Sequence, residues 1–237
     1  MSAVISVTTT TTVTAPRLLL RCRVCGERFA ARRKSAKTCS AACRQTLSRQ
    51  LRAATPPLPP GPFDLVYADP PWSFHTRSAK GQGRSPSRHY STMEVDQICR
   101  LPVRDIAARD SVLVIWVYGP RHDQAFKVAE AWGYSYKSEA FVWVKVTQAD
   151  ERTPVIGKGY YTRKASEQAL LFTRGNGLRV MDRGVNQVLH APRREHSRKP
   201  DEVAEALERL FGPVRRIELF ARHQRAEWVA WGNELRE

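Results

Sequence analysis

Long apolar segments are absent from this 237-residue sequence. No stretch approaches the roughly 20 apolar residues that a membrane-spanning helix needs, so we expect no membrane span. The first residues, Met1–Val7, carry no Lys or Arg, and Ser2 and Ser6 break their apolar run, which is unlike a secretory signal. We therefore expect a cytoplasmic protein, in which cysteines more often serve as metal ligands or free thiols than as disulfides.

Acidic residues are also scarce. The 39 Lys and Arg residues outnumber the 23 Asp and Glu residues, which gives a formal net charge of +16. Hydrophobic residues make up 42% of the chain, so a packed core is feasible and wholesale disorder is excluded. The charge is concentrated, because residues 1–60 contain 11 basic residues and a single acid, Glu27. This excess favours a polyanion such as nucleic acid as the partner.

Changes of composition along the chain predict four regions. Residues 1–16, which include a run of threonines at 8–12, are expected to be a disordered lead-in. Residues 17–54 form a basic cysteine-containing module, and the proline-rich residues 55–62 form a stiff linker. Residues 63–237 are long enough for one full-sized α/β domain.

Four of the five cysteines lie in the basic module. Two residues separate Cys22 from Cys25, and three separate Cys39 from Cys43. Two such pairs joined by a short loop can place four thiolates around a tetrahedral zinc ion at about 2.3 Å. We therefore expect these four residues to bind zinc, the alternative being four unrelated buried or free thiols. Cys99 stands apart and is expected to be an ordinary thiol.

Basic side chains surround the cysteines of the module. We expect them to contact phosphates, which would position a nucleic acid without specifying its sequence, and the alternative is a solvated charged face. They are Arg28, Arg32, Arg33, Lys34, Lys37, Arg44, Arg49 and Arg52.

Strand and helix patterns alternate after the linker. The apolar runs predict strands at Phe63–Ala68, Ser111–Val117, Ala140–Val144, Gln168–Phe172, Arg216–Phe220 and Trp228–Trp231. Helices are predicted from Arg121 to Trp132 and between Pro200 and Gly212. This alternation predicts an α/β sheet with helices on both sides. Residues 147–164 and 173–198 have little periodicity and are predicted to be functional loops.

Asp69, Pro70, Pro71 and Trp72 follow the first of these strands. Open α/β sheets bind ligands at the C-terminal ends of their strands. The prolines stiffen the turn and lack N–H groups, so their carbonyls can face outward. The Asp69 carboxylate and the Pro70 carbonyl could accept both hydrogens of an exocyclic amine, and Trp72 could stack on its ring. The alternative is a rigid turn with a capping acid.

A series of motifs in residues 63–235 resembles the DPPW-type adenine-N6 methyltransferases, also called methyltransferase-A-seventy-like proteins. This family includes the catalytic subunit of the eukaryotic messenger-RNA adenosine methyltransferase and many bacterial and phage DNA adenine methyltransferases. The matching segments occur in family order: Asp69–Trp72, His89–Met93, Leu101–Val103, Trp116, Trp132–Tyr134, Trp143–Lys145, Gly157–Tyr160 with Arg163 and Glu167, His196–Glu202, Glu218–Arg222, and Trp228 with Trp231–Glu234.

The resemblance implies a Rossmann-like, S-adenosylmethionine-dependent methyltransferase in which the catalytic motif precedes the cofactor motifs. It implies that Asp69, Pro70, Pro71 and Trp72 hold the target adenine. Trp116, Trp132 and Trp143 are expected to be core residues.

Further site residues follow from the same resemblance. The cofactor would be bound by Asp69, Lys199, Glu218, Phe220, Arg222, Asn233 and Glu234, with Lys199 on its carboxylate. The substrate would meet Trp72, His89, Tyr90, Lys145, Glu167 and His196. Several of these assignments have alternatives. Lys199 could be a solvated lysine at a helix entrance, and Glu218 and Arg222 could form a surface ion pair. Asn233 and Glu234 could belong to a plain C-terminal turn, Glu167 could brace Arg163, and Tyr90 and His196 could pack within loops.

The glycine-rich nucleotide loop of many Rossmann-like proteins is missing after the strand at Glu218–Phe220. The resemblance implies that Ala221 takes the place of the small residue there. The expected reaction is methyl transfer to the N6 amine of adenine in DNA, because the chain is compact and basic without the long extensions of the eukaryotic RNA enzymes. The alternatives are the same reaction on RNA and a non-catalytic nucleic-acid-binding protein on a methyltransferase scaffold.

Overall fold

The computed structural model describes most of the chain as two units, residues 1–55 and residues 56–237. The described residues are 18–31, 33, 36–53, 56–73, 92–117, 119, 121–157, 159, 161–194, 198–233 and 235, with the backbone alone for 48–53. In this part of the chain, no helix has the length and apolar character needed to cross a membrane.

The smaller unit is built from a hairpin and a helix. Strands β1 (Leu18–Arg21) and β2 (Arg28–Ala31) pair antiparallel, and helix α1 spans Ala41–Ala53. The hairpin turn is closed by the Cys22 N–H, which donates to the Glu27 carbonyl at 2.8 Å. Gly26 adopts a φ of +77° in this turn, a conformation that glycine reaches without steric cost.

The larger unit contains a seven-stranded sheet. Its strands are β3 (Phe63–Ala68), β4 (Ala107–Val117), β5 (Ser135–Val146), β6 (Ser166–Arg174), β7 (Val188–Pro192), β8 (Arg216–Leu219) and β9 (Trp228–Trp231). Its helices are α2 (Val95–Cys99), α3 (Val103–Ile106), α4 (His122–Ala131) and α5 (Asp201–Phe211). The strand order is β7-β5-β6-β4-β3-β8-β9. Strand β6 runs antiparallel to its neighbours β4 and β5, and all other pairings are parallel.

Helices cover both faces of the sheet, as the alternating pattern predicted. Because successive side chains of a strand point to opposite faces, β3 contributes Val66 and Ala68 to one core cluster and Leu65 and Tyr67 to the other. The first cluster includes the buried residues of α2, α3 and α4, and the second includes those of α5. The strands in the middle of the sheet are therefore buried on both sides.

The strand order reverses at β3. Its neighbours β4 and β8 lie on opposite sides of it, and all three strands are parallel. The C-terminal ends of β3 and β8 are thus adjacent at a topological switch point, where open α/β sheets form a ligand-binding crevice. The Asp69 N–H, directly after β3, donates to the carbonyl of Leu219 at the end of β8, at 3.4 Å.

The six predicted strands and both predicted helices of this unit are present, with three additions. Strand β7 lies inside residues 173–198, which the sequence pattern had assigned to a loop, and the short helices α2 and α3 precede β4. The proline-rich segment, expected to be a linker, packs on the larger unit. The Trp231 indole N–H donates to the carbonyls of Pro56 at 3.0 Å and Pro57 at 3.1 Å.

Candidate active site

Backbone hydrogen bonds fix the acidic corner that follows β3. The Pro70 carbonyl accepts the Trp72 N–H at 2.8 Å, which closes a three-residue turn centred on Pro71. The Pro71 carbonyl accepts the Met93 N–H at 2.9 Å, and the Ser73 N–H donates to the Met93 carbonyl at 3.1 Å. The corner is therefore held on both sides by main-chain contacts, which position Asp69 at the edge of the sheet.

Two observations bear on the roles predicted for this corner. Trp72 is 5% exposed, and its indole N–H donates to the Trp116 carbonyl at 3.0 Å. Its ring packs in the core of this structure, and its buried N–H has the acceptor that such a group requires, so stacking of Trp72 on a substrate stays a prediction. The carbonyls of Pro70 and Pro71 each already accept a backbone hydrogen bond, so only their second lone pairs can serve a substrate.

Asp69 lies in a cluster of opposite charges that we call the charge cluster, made of Asp69, Lys145, Lys164, Glu167 and Lys199. The Lys199 ammonium is 2.6 Å from Asp69 Oδ2 and 3.7 Å from Glu167 Oε2. The other oxygen of Glu167 accepts a hydrogen bond from the Lys145 ammonium. The side chains of Asp69, Glu167 and Lys199 are 26%, 15% and 13% exposed, so solvent screens these pairs only weakly.

Burial and charge shift the pKa values of the cluster in different directions. Burial raises the pKa of Asp69, although Lys199 acts against this shift. Burial also acts to raise the pKa of Glu167, but Lys199, Lys145 and Lys164 together outweigh it and lower the pKa to about 2. Burial lowers the pKa of Lys164. Glu167 is thus firmly ionised, whereas Asp69 is the carboxylate of the cluster with the greater affinity for a proton.

Each of the two lysines that contact Glu167 has its ammonium group over a tryptophan ring. The Lys199 ammonium lies 5.4 Å from the centre of the Trp116 ring, and the Lys145 ammonium lies 4.9 Å from the Trp143 ring. A cation is attracted to the face of an aromatic ring at this range. Trp116 and Trp143 are themselves buried, as expected for core residues.

The turn after β8 reverses direction without a glycine. Phe220 has a φ of +64°, a left-handed conformation that is uncommon for residues other than glycine and concentrates at functional sites. The Ala221 N–H donates to the Trp231 carbonyl at 2.9 Å. A Cβ on Gly232 would lie 2.4 Å from the Ala221 carbonyl oxygen, so a glycine is required there for the two turns to approach so closely. Phe220, Ala221 and Gly232 together give a close approach of two backbone turns at the end of β8.

A second group of ion pairs continues from β8. Glu218 faces Arg225, whose Nε is 3.2 Å from Glu218 Oε2, and Arg225 also contacts Asp201 at the start of α5. Burial raises the pKa of Glu218. Glu218 thus pairs with Arg225, a residue that neither the expected cofactor role nor the alternative of an ion pair with Arg222 included. Sequence reasoning missed Arg225 because it lies in a turn outside the recognised motif, where a lone arginine carries no signal.

The other expected cofactor and substrate residues are placed as follows. Arg222 is near enough to Asp69 for its charge to act against the rise in the Asp69 pKa that burial causes. Asn233, near the C-terminus of the chain, is exposed. His89, Tyr90, His196 and Glu234 lie outside the described residues. The structure therefore brings together Asp69, Lys145, Glu167, Lys199 and the turn after β8 from the expected set. Lys164 is the cluster member that sequence reasoning omitted.

The four cysteines of the smaller unit also converge. The sulfur atoms of Cys22, Cys25, Cys39 and Cys43 all lie within 4.8 Å of one another. The Cys25 and Cys39 sulfurs are 3.5 Å apart, and the Cys39 and Cys43 sulfurs are 3.6 Å apart. A tetrahedral ion with bonds of about 2.3 Å needs sulfur–sulfur distances of about 3.8 Å, so this donor set fits a metal of that kind.

Comparison with known proteins identifies the family. The MT-A70 family matches residues 63–234, which cover nearly the whole larger unit. The chain belongs to the MT-A70 family. This confirms the resemblance that the sequence motifs indicated, and the matched range leaves the four-cysteine unit outside the MT-A70 match.

Individual relatives agree with the MT-A70 assignment. The type II methyltransferase M.MunI from Mycoplasma sp is 32% identical over 196 residues, covering 76% of this chain and 81% of that protein. The human N(6)-adenosine-methyltransferase catalytic subunit METTL3 is 31% identical over 182 residues, and the Arabidopsis thaliana N(6)-adenosine-methyltransferase MT-A70-like is 33% identical over 178 residues. Each match covers 74% of this chain but only 28% and 24% of those longer proteins.

The low pKa of Glu167 predicts a pH-dependent contribution to stability. Its pKa is about 2 in the fold against an ordinary value of 4.5, so the ionised form stabilises the fold above pH 4.5 and that stabilisation is lost as the pH falls towards 2. The shift corresponds to roughly 3 kcal/mol. Urea denaturation between pH 6 and pH 2.5 is therefore expected to show the free energy of unfolding falling more steeply for the wild type than for Glu167→Gln.

The raised pKa of Asp69 makes the fold more stable as the pH falls, opposite to the effect of Glu167. Asp69 is present in both proteins, so the difference between their stability curves reports on Glu167. Glu205→Gln, on the exposed side of α5, is the matched control for the removal of one carboxylate. Parallel stability curves for the wild type and Glu167→Gln would show that Glu167 is not held by the lysines.

Proposed function

We propose that the chain transfers a methyl group from S-adenosylmethionine to the N6 amine of adenine in DNA. The observation that carries this proposal is the placement of Asp69, paired with Lys199, at the crevice between the ends of β3 and β8. Membership of the MT-A70 family and the methyltransferase relatives support the same reaction.

The residues at the crevice suit the proposed methyl donor. The donor has a carboxylate, a positively charged amine and sulfonium, ribose hydroxyls and an adenine ring. Lys199 is a cation for the carboxylate, and Asp69 and Glu218 supply negative charge. Asn233, which is exposed, offers hydrogen-bonding groups. When bound, the donor supplies a methyl group already activated by its sulfonium.

Asp69 is the residue that acts on the substrate amine in this proposal. The amine of adenine is a weak nucleophile because its lone pair is delocalised into the ring. Lys199 holds Asp69 Oδ2, which leaves the other carboxylate oxygen to accept an N–H of the amine. As the nitrogen forms its new bond to carbon it becomes positively charged, and the raised pKa of Asp69 makes this carboxylate a suitable acceptor for the proton that leaves.

Positioning supplies most of the expected rate enhancement. Holding an amine and a methyl group in a near-attack geometry can contribute roughly 7–11 kcal/mol. A fixed carboxylate opposite the developing positive charge adds electrostatic stabilisation. Because the amine of a paired adenine is not accessible in a duplex, the target base must be extruded from the stack or presented in a single strand.

We favour DNA over RNA as the substrate because of the share of each relative's own length that aligns with this chain. M.MunI, a DNA-modifying relative, aligns along 81% of its own length. The chain matches only about a quarter of the N(6)-adenosine-methyltransferases. RNA is the second candidate, since identity to those proteins is as high as 33%.

We further propose that Cys22, Cys25, Cys39 and Cys43 bind a structural zinc ion and that the basic unit around it contacts phosphates. The sulfur spacing supports zinc. Exposed Arg23, Arg28 and Arg33 line the unit and support the phosphate contacts. The zinc would fix the hairpin relative to α1, in a unit too small to have a large apolar core.

Methyl transfer can be tested with a labelled donor on unmethylated DNA and on RNA. We expect label in N6-methyladenine of DNA, identified by mass spectrometry of the nucleosides. Asp69→Asn, which keeps the shape and removes the charge, should slow single-turnover transfer at least 100-fold and weaken donor binding far less, because Lys199 and Glu218 remain to contact the donor. Label confined to RNA would favour the second candidate. Wild-type protein that binds DNA but transfers no methyl group would indicate a non-catalytic scaffold.

The zinc proposal predicts one zinc per chain by elemental analysis of the purified protein. Cys22→Ser with Cys25→Ser should lose the metal, because two of four ligands are gone, and should weaken DNA binding at least tenfold while donor binding is retained. Cys99→Ser is the matched control and should keep both the metal and DNA affinity. If the metal-free double variant binds DNA as tightly as the wild type, the metal is not needed for nucleic-acid binding, and that part of the proposal is wrong.

A further inference from the structure

Backbone hydrogen bonds join described parts of the segment between β5 and β6 to each other and to β5. After β5, residues 154–157 turn back, and the Val155 N–H donates to the Lys145 carbonyl at 2.7 Å. Gly157 and Lys164 then pair through two backbone hydrogen bonds of 2.7 and 3.2 Å. These bonds close a turn, which we call the rim turn and whose described residues are Gly159 and 161–163.

The rim turn is tight. A Cβ on Gly159 would lie 2.0 Å from the Thr162 carbonyl oxygen, so the backbone can close in this way only with glycine at that position. The pairing of Gly157 with Lys164 closes the turn at its base.

Tyr161 projects from the rim turn into solvent. Its side chain is fully exposed, more so than any other large hydrophobic side chain in the described part of the chain, and Ile156 at the base of the turn is 54% exposed. Arg163, also exposed, adds a positive charge beside the ring. An exposed aromatic ring with an exposed arginine two positions along the chain offers a stacking surface for a base and a cation for a phosphate.

The rim turn adjoins the charge cluster through the backbone. Lys164, the last residue of its base, is near enough to Glu167 to lower the pKa of that carboxyl group. Lys145, whose backbone pairs with both Val155 and Ala165, contacts Glu167 directly. Glu167 lies 3.7 Å from Lys199, which holds Asp69. Tyr161 precedes Lys164 by three residues, so its ring is on the turn whose base adjoins the charge cluster.

Duplex DNA presents a problem that such a ring could solve. An extruded adenine leaves its neighbouring bases without a stacking partner, and the cost of unstacking is a few kcal/mol. Aromatic and apolar side chains that enter the base stack offset this cost in other DNA-binding proteins. The net charge of +16 favours approach of the phosphate backbone to this protein.

We propose that Tyr161 stacks on a base beside the target adenine in duplex DNA and stabilises the extruded state. This inference rests on the proposed function. It assigns to the rim turn a role in opening the duplex that differs from the chemistry of Asp69. The ring is the active feature, so the phenolic hydroxyl is dispensable.

The test compares native and heat-denatured unmethylated chromosomal DNA as substrates for the full-length protein. Tyr161→Ala should lower kcat/KM for methyl transfer to native DNA at least tenfold, which corresponds to about 1.4 kcal/mol, within the range measured for base stacking on aromatic side chains. On denatured DNA the same variant should stay within about threefold of the wild type. Tyr161→Phe, which keeps the ring, should match the wild type on both substrates.

Val180→Ala is the matched control, since Val180 is 43% exposed and lies next to Met181, whose N–H donates to Leu210 at the end of α5. Equal thermal unfolding midpoints would show that the variants are folded, as expected for a fully exposed side chain. Equal losses on native and denatured DNA, or no loss on native DNA, would overturn the role of Tyr161 in extrusion. A wild-type protein that methylates neither DNA would overturn the proposed function and this inference with it.

Discussion

The ion pair between Lys199 and Asp69 is the interaction on which the rest of the site depends. The two residues are 130 positions apart in sequence and 2.6 Å apart in space. Asp69 is buried enough for its pKa to rise, and a buried carboxylate is costly unless a cation compensates it. Lys199 supplies that compensation, and Glu167 holds Lys199 from the other side. The pair thus keeps a charged acceptor at a place from which water is largely excluded.

The topology explains why these distant residues meet. Asp69 directly follows β3. In the neighbouring strand β8 lies Glu218, and Phe220 directly follows that strand. Glu167 lies at the start of β6. The segment between β7 and α5 carries Lys199 back to the same edge. Parallel strands place their C-terminal ends together, so the Asp69 corner early in the chain meets Lys199 and the turn after β8 from late in the chain.

Much of this arrangement could be predicted from the sequence, and the exceptions have physical causes. Apolar runs such as Ser111–Val117 indicated buried strands, because only a two-sided core tolerates them, but no periodicity shows that β6 runs antiparallel. The motif identified Asp69 and Lys199 as site residues, yet not that they bind each other, since pairing depends on tertiary geometry. Nor did the motif show that the Trp72 indole N–H has its acceptor in the core.

A double-mutant cycle between Asp69 and Lys199 tests the central claim most directly. Single-turnover methyl transfer would be measured for Asp69→Asn, Lys199→Met and the double variant at saturating donor. If the two residues act as one unit, the double variant is no more than about threefold slower than the slower single variant, because the second change removes an interaction already lost. Rate losses that multiply in the double variant would show that Asp69 and Lys199 act independently, and would contradict the account.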